Sequence, residues 1–208
     1  MNAPITTGGA NGIDAAIIDS GGANLASLQF ALDRLGARAV VSSDAATIAA
    51  APRVLLPGVG AAADAMRRLR ANGLDRLIPK LTVPLLGICL GMQLLFEHSA
   101  EGDTACLGVL AGRVERLRPL AGMPVPHMGW NTLELISEDA LLRDIDAASY
   151  LYFVHSYAAP VTRGTLAAVR YGQPLAAVVR QANFYGVQFH PERSASVGAR
   201  ILRNFMTL

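Results

Sequence analysis

The 208-residue sequence predicts an α/β fold: an open, mostly parallel sheet flanked by helices, with an antiparallel extension in the C-terminal half. Three observations predict it. Short apolar runs alternate with helical patterns through the first half, as parallel strands with helical crossovers require. After Gly108 the pattern changes to successive strand-like runs joined by Gly, Pro, Asn or Asp. The chain is 52% hydrophobic and 16% charged, which supplies one sizeable core for a single domain.

Ala15-Ala16-Ile17-Ile18 reads as a buried strand that ends at Asp19-Ser20-Gly21-Gly22. Leu25, Leu28, Leu32 and Leu35 then share one helical face, and Gly36 stops the helix. Arg38 to Val41 reads as the next strand. Ser43 or Asp44 can cap a short helix through Ala51, which Pro52 halts. Arg53-Val54-Leu55-Leu56 is a strand running into Pro57-Gly58-Val59-Gly60. Ala61 to Ala71 is helical, with Met66, Leu69 and Arg70 at helical spacing and Gly73 beyond its end. Val83 to Leu86 is a further short apolar run. Beyond Gly108, strands are expected over Val109–Leu117, Trp130–Ile136, Tyr150–His155, Leu166–Tyr171, Ala176–Arg180 and Phe184–Phe189. Only Glu138–Asp144 and Ala195–Phe205 read as helices there. Met1 to Gly12 is small, polar and Gly-rich, and is expected to be a disordered leader to a domain spanning 13–208.

The net charge is +2, and no dense Lys or Arg run gives the electrostatic footprint of nucleic-acid binding. No apolar stretch reaches the length of a membrane span, and the N-terminus lacks a basic-then-apolar signal pattern. Two cysteines are too few for a secreted disulfide framework and point to the reducing cytosol, so a cytoplasmic location is expected. No Cys-x-x-Cys or His-x-x-x-His spacing accompanies them, so no metal site is expected.

The chemistry concentrates at Gly87-Ile88-Cys89-Leu90-Gly91, directly after an apolar run. A strand entering Gly-x-nucleophile-x-Gly and leaving as a helix makes a sharp elbow, and the flanking glycines give it room. The elbow lifts the nucleophile above the C-terminal edge of the sheet and sets it at a helix N-terminus, where negative charge is favoured. A cysteine there suits attack on a carboxamide, because the resulting thioester is readily hydrolysed. The amide of Leu90, with a second donor from the Pro57–Gly60 loop, could hold the oxyanion. The competing reading is a buried structural cysteine, which is preferred for Cys106 because no glycine elbow surrounds it.

A cysteine nucleophile needs a base, and four histidines are available. His98 is expected at the surface near the end of the elbow helix. His127 lies in the cramped run Pro126-His127-Met128-Gly129-Trp130-Asn131, and spacing assigns it nothing. His155 ends an apolar strand, where a satisfied core or rim histidine is the default. His190 stands at the C-terminal end of Gly186-Val187-Gln188-Phe189, on the sheet edge where the elbow also emerges. Glu192, beyond Pro191, can hold its imidazole in one tautomer. Spacing alone leaves both a Cys89–His190–Glu192 triad and a plain strand-end turn open.

Together these residues resemble the class I, or triad, glutamine amidotransferases. Gly87 to Gln93 is similar to that family's nucleophile motif, and Gly186 to Ser194 to its His-Pro-Glu motif. Asp19–Asn24, Pro57–Gly60, Pro126–Asn131 and Tyr152–Tyr157 resemble further signatures of the glutaminase subunits of imidazole glycerol phosphate synthases. The resemblance runs from about Ile17 to the C-terminus. It implies a flavodoxin-like fold and release of ammonia from L-glutamine by Cys89, His190 and Glu192, without a cofactor. It also implies that Gly58, Gly60, Gln93, Ser156 and Tyr157 hold glutamine, and that a flippable amide at Val59 joins Leu90 in the oxyanion hole. The implied partner is a HisF-type (β/α)8-barrel cyclase subunit, met by Asn24, Trp130, Tyr152 and Arg193 and fed with ammonia away from bulk water. Ser20, Ala23 and Arg193 depart from the family pattern, which more often has an aromatic, a glycine and a lysine there. Other readings are a glutaminase component of an anthranilate or vitamin B6 synthase, a non-catalytic scaffold, and a cysteine peptidase.

Overall fold

The computed structural model describes residues 12–21 and 25–208; the expected leader, apart from Gly12, lies outside them. In chain order the first half contains β1 (Ala15–Ile18), α1 (Leu25–Arg34), β2 (Ala39–Ser42), α2 (Ala45–Ala50), β3 (Val54–Gly58), α3 (Ala62–Ala71), α4 (Leu74–Leu77), β4 (Leu85–Cys89) and α5 (Leu90–Leu94). The second half contains β5 (Phe96–Ser99), β6 (Thr104–Ala105), β7 (Leu110–Arg116), β8 (His127–Thr132), β9 (Glu134–Leu135), β10 (Tyr150–His155), β11 (Tyr157–Ala158), β12 (Thr165–Tyr171), β13 (Gln173–Gln181), β14 (Phe184–Val187) and α6 (Ala195–Phe205).

The main sheet has the order β2-β1-β3-β4-β14-β13-β12-β9. Its first five strands are parallel and the remaining pairings antiparallel, as the change of pattern beyond Gly108 predicts. The parallel part has the 2-1-3-4-5 arrangement of flavodoxin-like sheets. Successive side chains of a strand point to opposite faces. Ile17, Leu55 and Leu86 therefore pack on one side with Leu28, Leu32, Ile201 and Phe205 from α1 and α6. Ile18, Leu56 and Leu85 pack on the other with Ile48, Met66, Leu69 and Met92 from α2, α3 and α5. A strand buried on both faces reads as an unbroken apolar run, which is why β1, β3 and β4 were visible in the sequence.

Caps and stops settle several boundaries. Asp44, not Ser43, caps α2, its carboxylate accepting the Thr47 amide at 2.7 Å. Gly36 takes a left-handed φ of 79° just past α1. Ala61 offers no side-chain cap to α3, and Glu101 supplies one from a distant turn by accepting the Ala62 amide at 2.8 Å.

Four expectations are corrected. The strand expected over Trp130–Ile136 is two: β8 begins at His127 and pairs with β10, and beyond the buried Leu133 β9 pairs with β12. Glu138–Asp144 is not an α-helix but a 3-10 turn over Ala140–Leu142, capped by Asp139 and ended by Asp144 at φ 59°. So short a segment cannot support a helix nucleus when such a residue terminates it. The strand expected through Phe189 ends at Val187. The elbow helix is only five residues long, because Phe96 to Ser99 leave it to pair with β7. His98 consequently sits on β5, 3.2 Å from Asp103, and not on a helix end.

β8 and β10 form a separate two-stranded arm. In its antiparallel register His155 faces His127, and Tyr152 faces Trp130. Alternation turns the two histidines inward, where His127 stacks on Tyr171 and Phe153 with centroids 4.1 and 5.0 Å away. Burial lowers the pKa of His127 to about 4. Burial also takes His155 to about 4, the Tyr157 carbonyl opposing the shift while the charges of His127 and His190 add to it.

Two outcomes follow from this packing. A Cβ at Gly91 would collide with the Leu56 carbonyl, so Gly91→Ala is expected to destabilise the chain by roughly 1–3 kcal/mol. An unshifted urea midpoint would contradict that close approach. Because His127 and His155 are neutral when folded but titrate near 6.5 when unfolded, their contribution is complete above pH 6.5 and is lost as pH falls toward 4. The urea midpoint of the isolated chain should therefore drop between pH 6.5 and pH 5, and a flat profile there would show that the pair is not buried neutral.

Candidate active site

β4 ends on Cys89, whose backbone lies at φ 53° and ψ −111°, a region costly for a residue with a side chain. Glycine makes the elbow possible on every side. A Cβ at Gly87 would come within 2.7 Å of the Gly91 carbonyl oxygen, and one at Gly58 within 2.9 Å of the Gly91 amide nitrogen. A Cβ at Gly186 would meet Met92 at 2.6 Å. The sulfur is buried, with the Gln188 amide nitrogen at 3.7 Å and the Val154 carbonyl at 3.8 Å.

His190 follows β14, the strand beside β4, so both residues emerge at the same sheet edge. Its Nδ1 is 2.8 Å from a Glu192 oxygen, and both side chains are almost fully buried. The turn is held firmly. The His190 amide donates to the Tyr152 carbonyl at 2.9 Å, while the Ser194 hydroxyl donates to the His190 carbonyl and accepts from the Tyr152 amide. Nε2 of His190 is buried and has no nitrogen or oxygen partner, which leaves the Cys89 sulfur as the group that acts on it. Burial opposes protonation of His190, but Cys89 and Glu192 outweigh it and raise its pKa to about 10.

Cys89 and His190 open onto a cavity of about 470 Å³. Val59, Gly60, Leu90, Gln93, Ser156 and Tyr157, all expected from the sequence, lie on its wall. Gly58 does not: it lies behind the wall, against the elbow. Both amide protons of Gln93 are committed, to the Tyr157 carbonyl at 2.8 Å and the Gln188 side-chain oxygen at 3.0 Å. Gln93 can therefore offer a ligand only its oxygen. Ser20 donates its hydroxyl to the Pro57 carbonyl at 2.8 Å, pinning the strand end that leads into Val59 and Gly60.

Sequence reasoning missed Glu101 and read His155 as a satisfied core or rim histidine with no part in the site, yet both line the cavity. Glu101 is brought in by the turn after β5, and the uncapped Ala61 is the one local hint that a distant carboxylate is required there. Of the expected partner-facing residues, Trp130 is 53% exposed and meets Tyr152 edge-on at 5.9 Å. Arg193 lies exposed at the cavity rim, while Ala23 and Asn24 fall outside the described residues. Among the described residues no helix is long and apolar enough to cross a membrane.

Residues 16–208 match the family model described as glutamine amidotransferase class-I. The chain is 57% identical over 195 residues to the imidazole glycerol phosphate synthase subunit HisH of Xanthomonas euvesicatoria, covering 94% of this chain and 98% of that protein. It is 53% identical, with the same coverage, to the subunit of that name from Xylella fastidiosa. Among solved structures, one titled glutamine amidotransferase superposes with a TM-score of 0.71 at 23% identity, over 92% of this chain and 96% of the other. A glutamine amidotransferase of Thermotoga maritima gives 0.65 at 17%, over 92% and 95%. These two likenesses concern the fold alone. The sequence matches reach further, and by them the chain belongs to the class I glutamine amidotransferases, among the HisH subunits of imidazole glycerol phosphate synthase.

Proposed function

We propose that the chain hydrolyses L-glutamine to glutamate through a Cys89 thioester, and delivers the ammonia to a HisF-type (β/α)8-barrel cyclase subunit in histidine biosynthesis. The observation that carries this reading is the strained Cys89 elbow sharing one cavity wall with His190, whose ring is held from behind by the buried Glu192. His190 takes the thiol proton, and its raised pKa suits a histidine that keeps that proton beside a sulfur anion. The thiolate attacks the side-chain carbonyl carbon, and the amides of Leu90 and Val59 take up the charge on oxygen. Collapse breaks the C–N bond, and His190 gives its proton to the departing ammonia. Water then attacks the thioester, its proton passing through His190 to the sulfur as glutamate leaves. Glu192 holds the imidazole with Nε2 toward sulfur and supports its positive form.

Glutamine also carries an ammonium and a carboxylate. Among the described residues Glu101 supplies the carboxylate on the cavity wall, and we assign it to the ammonium together with the Gln93 oxygen. Gly60 and the backbone at Ser156 and Tyr157 face the rest of the ligand. The partner would dock on the outer face of the β8–β10 arm. Alternation places Met128, Trp130, Tyr150 and Tyr152 together there, and the first three are more than half exposed. Arg193 at the rim would add a charge to that interface. A cytoplasmic site of action accords with this role and with two free thiols.

Cys89→Ala is expected to lower glutamate release by roughly 10⁴-fold or more while leaving co-purification with the cyclase intact. An undiminished rate would sink the assignment. The isolated chain should be nearly silent if the Val59 amide turns into place only when the partner is bound. Adding cyclase with its nucleotide ligand should then raise the glutaminase rate by roughly 10²–10³-fold, the worth of one oxyanion donor. A high basal rate that the partner leaves unchanged would refute this switch.

A further inference from the structure

His127 and His155 are buried, polar and unused by the chemistry above. Their contacts fix the position of every proton between them. His155 Nδ1 lies 2.9 Å from the Tyr157 carbonyl, which can only accept, so Nδ1 carries the hydrogen and Nε2 is a lone pair. That lone pair faces His127 Nδ1 at 3.0 Å, so His127 also carries its hydrogen on Nδ1. His127 Nε2 is then the acceptor for the Asn131 amide nitrogen at 3.3 Å. The Asn131 amide is itself oriented, since its oxygen accepts the Thr132 amide and its nitrogen donates to the Arg170 carbonyl. Three groups thus donate in one direction, from Asn131 on the arm to the Tyr157 carbonyl at the cavity.

That carbonyl is shared. It accepts from His155 and also from Gln93, whose second amide proton goes to Gln188, the neighbour of the Cys89 sulfur. We propose that His127 and His155 act as positioning residues for glutamine, a one-way hydrogen-bond relay that holds the Tyr157 carbonyl and, through it, the Gln93 side chain against the substrate. A second proton on either ring would set N–H against N–H, so the relay exists only with both rings neutral. The burial that keeps both pKa values near 4 supplies that condition at physiological pH. Stacking on Tyr171 and Phe153 fixes the His127 ring plane, so the relay has little freedom to re-form another way.

The inference rests on the glutaminase reading, and the test separates the two. His127→Phe keeps an aromatic ring of similar shape between Tyr171 and Phe153 while removing the donor to His155. In the full chain saturated with the cyclase subunit, KM for L-glutamine should rise about tenfold, the loss of one hydrogen bond, with kcat changed less than about threefold. Absence of glutamate from the wild-type complex would refute the glutaminase reading itself. A normal wild-type rate with an unmoved KM in the variant, or a loss confined to kcat, would overturn the relay. Should the variant fail to fold, imidazole ¹⁵N shifts of the wild-type chain decide instead. Both rings are expected as Nδ1–H tautomers between pH 6 and 8, and an Nε2–H tautomer or a titration near 6.5 on either ring overturns the relay.

Discussion

The constraint on which the rest depends is the approach of α5 onto the ends of β3, β4 and β14. Gly91 rests against the Leu56 carbonyl so closely that a methyl group would not fit, and Gly58, Gly87 and Gly186 clear the space around that contact. This packing holds Cys89 in a backbone conformation that a cysteine does not adopt by preference. The strain is local, and two faces of buried apolar side chains oppose its relaxation. The sulfur is thereby fixed at the sheet edge before any substrate arrives, which is the preorganisation that nucleophilic attack and oxyanion binding both need.

Three buried histidines close to that edge show how partners, more than burial, decide protonation. His127, His155 and His190 are all nearly inaccessible. The first two meet neutral groups and each other, and burial drives them neutral. His190 meets Glu192 and Cys89, and these outweigh the same penalty. Buried histidines tied to one segment, β10, are thereby held in opposite protonation states.

The parallel half of the fold was legible because strands buried on both faces leave continuous apolar runs, and Gly, Pro and Asp mark their ends. The elbow was legible for a related reason: its glycines are forced by sterics and sit next to the nucleophile in sequence. The triad needed only the further inference that β14 adjoins β4. What was not legible depends on contacts distant in sequence. Phe96–Ser99 is a strand because β7 accepts it, and Glu138–Asp144 fails as a helix because Asp139 and Arg180 draw it into a turn. Glu101 reaches the cavity by capping a helix about 40 residues earlier in the chain. His127 and His155 acquire meaning only in the register of β8 and β10. Apart from the missing cap at Ala61, no local pattern hints at any of these.

The His190 turn and the exposed aromatic face are joined through Tyr152. Tyr152 donates its amide to Ser194 and accepts the His190 amide, so β10 and the histidine turn are tied at two points. The same residue packs edge-on against Trp130 across the arm. The inner face of that arm carries His127 and His155 toward Tyr157 and Gln93. The arm is therefore linked to the cavity by two short routes of bonded groups, one through the backbone at Tyr152 and one through the imidazoles. The Pro57–Gly60 segment is anchored separately, by Ser20. The two walls of the cavity are thus tied to different parts of the fold, the His190 side to the arm and the Val59 side to β1 through Ser20.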